Sequence, residues 1–468
     1  MAHKELLFMS YFLSVMLFVL TWSGRAHALA TNCTLYAAAN GSDANNGATP
    51  STPKTLNGAS RVTVPGSVVC LKGGTYNMSA TFYPYNNGAP NAWITYRDYG
   101  DSDVNLVWTG GSSGGDITMF HFIGNTLATG KSYIEVRGLH FNGQNLSADA
   151  LFCYKSHHLR FVGNTIKNMG SAGIATKFCD YLTSDGNKLS HNGYLQGWAS
   201  AISYNSNQWL DTAAGFHSFV VNNTMSGTFD GSVNHSDGNG IIMDQSNDSH
   251  DFSTANTPPV LIANNVVYEN GGRCIETLAV TNIWVVHNTC YKNALDLNEP
   301  GIGEIVTFNT KNSYFINNIV YAWNNHNTYQ QLSSNSNLKY YKNLGFGGSK
   351  NFSYSAECQF LTADPHFLSP PTVNATAGSQ YATAPDASLL GTALTLQGSA
   401  AVDLGIDPTT FGGLPPEIVT GLRQYLATDN AGAPRPQGSA SDLGAYEYGS
   451  GTVVVTPAAP SKFTIGFQ

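Results

Sequence analysis

Along the middle of the chain the apolar residues recur in short alternating runs rather than at helical spacing. Seven stretches, 161–166, 183–189, 219–225, 261–267, 284–290, 315–319 and 341–344, share an apolar-x-Asn-x-apolar core. Their asparagines are Asn164, Asn187, Asn223, Asn265, Asn288, Asn318 and Asn343, separated by 23, 36, 42, 23, 30 and 25 residues. A base period of 23 with longer exceptions is the signature of a solenoid whose coils carry insertions on one face. Runs such as Ile283-Trp284-Val285-Val286 are β-branched or aromatic and end in polar turns, so each coil is predicted to be built of strands. Parallel strands in successive coils lie about 4.8 Å apart, which stacks equivalent residues on one another. Asparagines stacked at a bend can bond along the axis and satisfy each other in the interior, so their role is read as structural.

A second set of strands precedes the asparagine segments. The stretches 150–154, 173–177, 201–205, 240–244, 274–278 and 304–308 align with Leu or Ile at the second position, Leu151, Ile174, Ile202, Ile241, Ile275 and Ile305. That position is predicted to point inward, and strand alternation then turns the third and fifth positions outward.

The segment 1–30 stands apart from this pattern. Lys4 precedes an apolar run over 6–22, and Ala28-Leu29-Ala30 follows as a small-residue cleavage site. This is the layout of a secretory leader, and the run is at the lower length limit for a bilayer span. Export without stable membrane insertion is therefore expected, to the extracellular space or the periplasm. Removing the leader leaves 20 basic and 29 acidic residues, a net charge of −9. Such a surface argues against nucleic acid as a partner, because phosphate binding needs a basic face. Charged residues are only 11% of the chain while glycine is abundant, which suits strands joined by tight turns and not long helices. Seven cysteines in so long a chain do not make a disulfide scaffold. Cys33 and Cys70 can pair near the amino end; several others fall on interior positions, where cysteine is expected to act as a small hydrophobe.

The two ends complete the organisation. The opening stretch 35–47, with Thr52-Pro53-Lys54-Thr55-Leu56, Val64-Pro65-Gly66 and Leu71-Lys72-Gly73-Gly74, resembles the first coil of secreted right-handed parallel β-helix proteins of the pectate-lyase-like superfamily. The closing Ala401-Val402-Asp403-Leu404-Gly405, 433–438 and 442–447 are similar to the end cap of the same group. The resemblance spans residues 33–448. It implies one all-β domain over 31–448, with amino-terminal coils and cap at 31–130, central repeats at 131–348 and a polar carboxyl cap region at 349–448. Residues 449–468 read as a loose tail, and a monomer is expected.

Candidate chemistry gathers on the outward column. Position five presents Lys177, Asn205 and Asp244 on successive coils; position three of the next coil is Glu276, with Arg273 just before that strand. In a charge-poor chain this is a concentration of ionisable groups on one face. Asp237, in Ser236-Asp237-Gly238-Asn239-Gly240, enters the same strand from a turn whose glycines also have a plain turn reading. The two longest gaps flank these coils, and their loops carry Tyr194, Trp198 and Trp209, aromatics able to stack on sugar rings.

Two reactions suit the set. In β-elimination on a uronate polymer, Lys177 or Arg273 takes the proton beside the sugar carboxylate while cations neutralise that carboxylate. The resemblance implies calcium for such a lyase, with Asp237 and Asp244 as ligands and Asp248 and Asp251 adding to them, although the compact acidic cluster of those lyases is not intact here. In glycoside hydrolysis, Asp244 and Glu276 form the pair; one coil and two residues of offset put their Cα atoms on the order of 8 Å apart. A third reading is a non-catalytic, glycan-binding surface protein. A polysaccharide is the expected partner in all three. The histidines, His157-His158, His217, His235 and His250, show no zinc-like spacing.

Overall fold

The computed structural model describes residues 28–449 apart from 112–116, 147, 246–255, 300, 354–358, 374–383, 385, 392 and 399–400. The leader up to residue 27 and the tail from residue 450 thus lie outside the described residues, as do Asp248, His250 and Asp251.

One coil shows how the repeat is built. Ser132–Arg137 runs in a first sheet, His140–Asn142 in a second and Asp149–Tyr154 in a third, before His157–Val162 returns to the first. The first two sheets have 11 strands each and the third has 9. Every strand ladder between them is parallel, for instance Ser132 against His157 and His157 against Asp180. The chain is therefore a parallel β-helix, with its three sheets wrapped around one apolar core.

The asparagine ladder is formed in full. Each Nδ2 donates to the Oδ1 of the next coil's asparagine, from Asn164 through Asn187, Asn223, Asn265, Asn288 and Asn318 to Asn343, at 2.9–3.0 Å. All seven are fully buried. Each Nδ2 also donates to a backbone carbonyl, Val136 O for Asn164 and Phe315 O for Asn343. The residue before each ladder asparagine is left-handed, at φ 62 and 66 for Gly163 and Gly186 and 57 for Asn222. Glycine and asparagine adopt that geometry most readily, which is why Gly-Asn and Asn-Asn recur at the bend.

Among the described residues there are three disulfides, Cys33–Cys70, Cys153–Cys179 and Cys274–Cys290. The first is as expected. The other two correct the reading of interior cysteines as lone hydrophobes, because a strand position and a turn position one coil or one sheet away become neighbours only once the coil closes.

Six residues, Leu56–Arg61, form a helix capped by the Thr55 side chain, and Leu56 and Ala59 enter the core at the amino end. The carboxyl segment runs along the side of the solenoid. Its helix, Pro416–Leu426, was not foreseen, although Ile418, Leu422 and Leu426 follow at one-turn spacing. Those three pack on Phe216, Leu261, Trp284 and Ile316 over the outer face of the first sheet. Leu394, Leu443, Ala445 and Tyr446 cover Val266, Tyr268, Tyr291 and Ile319 of the second. Among the described residues, no strand of the third sheet takes part in either cluster.

Candidate active site on the third sheet

The predicted register of the third sheet holds. Leu151, Ile174, Ile202, Ile241, Ile275 and Ile305 pair in succession and all are buried. Lys177 is opposite Asn205, and Asn205 opposite Asp244. Thr176, one residue earlier, points inward and is 2% exposed, so Lys177 faces out, with its Nζ 5.4 Å from the centre of the Phe178 ring. Asn205 Nδ2 donates to Asp244 Oδ2 at 2.6 Å.

Asp237, Arg273 and Glu276 come together at the opening end of these strands. Gly238 is at φ +75, and a Cβ on Gly240 would lie 2.2 Å from Val267 Cγ1, so both glycines of the turn are required by the backbone. They leave the Asn239 side chain reaching the next coil, while Asp237 bonds within its own turn and to the preceding coil. Asn239 Nδ2 donates to Asp237 Oδ1 at 3.3 Å and to Glu276 Oε2 at 3.2 Å, while its Oδ1 accepts from the Arg273 backbone N–H at 2.7 Å. The Arg273 guanidinium pairs with Glu299 Oε1 at 2.7 Å and Glu276 Oε2 at 3.5 Å, and donates to Ser236 O at 2.9 Å. Ser236 Oγ donates to Asp237 Oδ2 at 3.2 Å, and Ser200 Oγ reaches Asp237 Oδ1 at 3.5 Å.

Burial governs the protonation of this cluster. Asp237, 9% exposed, is pushed up to about 7 by burial and by repulsion from Glu276. Burial also raises Glu299 to about 7, against the pull of Arg273. Glu276 is raised by burial, opposed by Arg273 and reinforced by Asp244. Arg273 loses some basicity to burial, but the charges of Glu276, Glu299 and Asp237 outweigh that and hold it above its ordinary value. The guanidinium touches Glu276 and not Asp237, which favours the charged form of Glu276 over that of Asp237. The arrangement offers a carboxylic acid able to give a proton near neutral pH beside a carboxylate.

No protein-family model matches the chain, and no curated protein sequence matches it. Solved structures do. A glycoside hydrolase aligns over 68% of this chain and 94% of its own at 10% identity, with a TM-score of 0.50. A pectate lyase, Pel9A, aligns over 90% of this chain and 97% of its own at 17% identity, with a TM-score of 0.44. A lacto-N-biosidase from Eubacterium ramulus aligns over 68% of this chain at 14% identity and a TM-score of 0.43; the match spans 57% of that protein. The likeness is one of fold. The site itself has to be judged on its own residues.

The loop aromatics do not converge. Tyr194 reaches Gly227 O through its hydroxyl at 3.5 Å and pins its own loop. Trp209 donates to Asn256 O at 3.0 Å, packs against His217 and lines a cavity of about 590 Å³ with Pro259 and Ile418. It follows the strand Ile202–Asn205, whereas Trp198 precedes it. Trp198 is 74% exposed and two residues from Ser200, the partner of Asp237, so it alone of the three offers an open ring beside the acid pair. His217 bonds Asp180 and His235 bonds Asp296, which separates the histidines.

Asp237 and Asp244, the expected calcium ligands, hold different partners, and Asp248 and Asp251 lie outside the described residues. The partners of the first two are at opposite ends of the strand Ile241–Asp244, Asn239 and Ser200 for Asp237 and Asn205 for Asp244. Among the described residues the one trio of ligand-type side chains within 4.8 Å is Cys274, Cys290 and Glu304, and its sulfurs are joined in a disulfide.

Sequence reasoning missed Glu299, Asn239 and Ser200. Asn239 lay inside the flagged turn. Glu299 belongs to an acid-rich loop with Asp296 and Glu304, a visible signal in this chain, but only the coil stacking brings it to Arg273.

Proposed function

We propose that the protein is a secreted carbohydrate-active enzyme that hydrolyses a glycosidic bond, with Asp237 as general acid and Glu276 as its carboxylate partner. The observation that carries this reading is the single Asn239 amide donating to both carboxyls, beside a guanidinium that touches only one of them. Asp237 gives its proton to the leaving oxygen. Two carboxyl oxygens within 3.3 Å of one nitrogen are close for an inverting pair and suit double displacement. Glu276 then attacks the anomeric carbon, and Asp237, now ionised, takes a proton from the water that releases the sugar. Asp244, the acid expected from strand spacing, acts on Glu276 through its charge and holds Asn205. Three disulfides support export to an oxidising compartment. No described helix is long and apolar enough to cross a membrane.

The polysaccharide-lyase reading keeps one supporting observation, the outward parity of Lys177 as base. Arg273 is unsuited to that role, because Glu276 and Glu299 hold it charged.

The test is a panel of neutral and acidic polysaccharides followed both for new reducing ends and for the ultraviolet absorbance of unsaturated ends. Reducing ends without absorbance are expected, with kcat lowered about 100-fold or more in Glu276→Gln and Asp237→Asn. Absorbance that vanishes in Lys177→Ala would establish the lyase instead, and no new ends on any polymer would leave glycan binding alone.

A further inference from the structure

The outward face of the third sheet changes character along the axis. Toward the amino end, position three carries His121 and Phe152, and position five carries Ile123 and Tyr154. The rings of Tyr83, His121 and Phe152 follow one another at 5.5 and 5.0 Å, and Phe178 stands 5.9 Å from Tyr154. Tyr83 is 52% exposed, and Phe152, Tyr154 and Phe178 are half-buried. Two ammonium groups lie over this strip: Lys155 Nζ is 5.0 Å from the Tyr154 centroid and 5.8 Å from that of Phe178, and Lys177 Nζ is 5.4 Å from Phe178.

Between the strip and the acid pair, position three holds only Ala175, Ser203 and Ile242 before Glu276. Ala175 and Ser203 are short, so the outward column is low between the strip and Ile242. Beyond Glu276 the columns turn apolar with Val306, Leu278 and Phe308. The carboxyl segment covers the aromatics of the other two sheets, Trp284 and Tyr291 among them, and among the described residues it forms no apolar cluster with this strip.

We propose that this aromatic and lysine strip is a binding platform for an acidic polysaccharide lying lengthwise along the axis, which rests on the hydrolytic reading of the acid pair. The rings support successive sugar faces, and the ammonium groups attract carboxylate or sulfate substituents. Tyr154 and Glu276 are four coils apart, about 19 Å at the parallel-strand spacing, so the platform grips units well removed from the bond being cut. The two lysines stand over the aromatic strip and the acid pair lies further along the axis, so gripping and cleavage use separate parts of one face.

The test is calorimetric binding of polygalacturonate, a sulfated galactan and a neutral galactan to the full chain carrying Glu276→Gln, with and without Tyr154→Ala and Lys155→Ala together. At least one acidic polymer is expected to bind the parent more tightly than neutral galactan, and the double substitution to weaken that binding about tenfold. Which acidic polymer responds distinguishes carboxylate from sulfate. Equal affinity for neutral and acidic polymers, or unchanged affinity in the double variant, overturns the platform. Hydrolysis retained in Glu276→Gln, with binding lost in the double variant, overturns the acid pair and leaves the platform standing.

Discussion

The same coils present three outer faces, and two of them differ sharply from the third. On the first sheet the outward residues of the central coils are Phe219, Leu261, Trp284 and Tyr314, with Trp284 stacked on Tyr314 at 3.9 Å under the helix Pro416–Leu426. On the third sheet the matching coils carry Lys177, Asn205, Asp244 and Glu276, and among the described residues none of them joins the apolar cluster under that helix. Strand alternation is identical on both. The difference is what lies above: apolar residues turned outward are covered by another part of the chain, and ionisable ones are left to partner each other.

Breaking the covered side should cost stability and spare chemistry. The tail is anchored by the buried pair of Arg435 and Glu447 at 2.8 Å, with Arg435 also bonded to His287. Arg435→Met leaves Glu447 as an uncompensated buried charge and is expected to lower unfolding free energy by about 3–5 kcal/mol. Urea unfolding measures this, and kcat on the active substrate should stay within about twofold of the parent at 25 °C. A matching loss of kcat in the folded variant would show that the tail also shapes the open face.

A smaller effect comes from pH. Burial holds Glu304 up to about 8, and Asp237, Glu269 and Glu299 up to about 7. The unfolded chain ionises such groups near 4, so the native state binds more protons, and stability falls as pH rises through the folded values. The histidines pulled down by burial, His157, His158 and His287, act in the opposite sense only below their unfolded value near 6.5. Between pH 6.5 and 8 the carboxyls decide, and Glu304 alone is expected to remove on the order of 1–2 kcal/mol. Unfolding at the two pH values checks this: Glu304→Gln should shrink the drop, and stability that rises over the window would contradict it.

The smallest effect should appear on the open face. Trp198→Ala removes a ring that is 74% exposed, so the melting temperature should hardly move. Affinity should fall by about 1 kcal/mol, a fivefold rise in KM or Kd. A destabilised variant with unchanged affinity would make Trp198 a loop anchor like Trp209.

Much of the fold was legible because its determinants are periodic. The asparagine spacing gave the coil length, and one repeated Leu or Ile set the parity of the third sheet, including the outward aim of Lys177. The site was legible only in part. Asp237, Arg273 and Glu276 were picked out by charge in a charge-poor chain, but spacing paired Asp244 with Glu276, whereas the structure puts Asp237 on the Asn239 amide they share. Loop insertions carry no period, so Glu299, the separation of Trp198 from Trp209 and two of the disulfides had no sequence signal of their own.

What the sequence by itself determined is the repeat: strand direction, register and inward positions, because each coil sees the same local pattern and repeats the same hydrogen bonds. Tertiary structure alone decided which outer faces the carboxyl segment packs on and which carboxyls gather around Arg273. Both depend on burial and on charges brought together from residues far apart in the chain, and neither quantity exists until the coils have stacked and the carboxyl segment has packed along their sides.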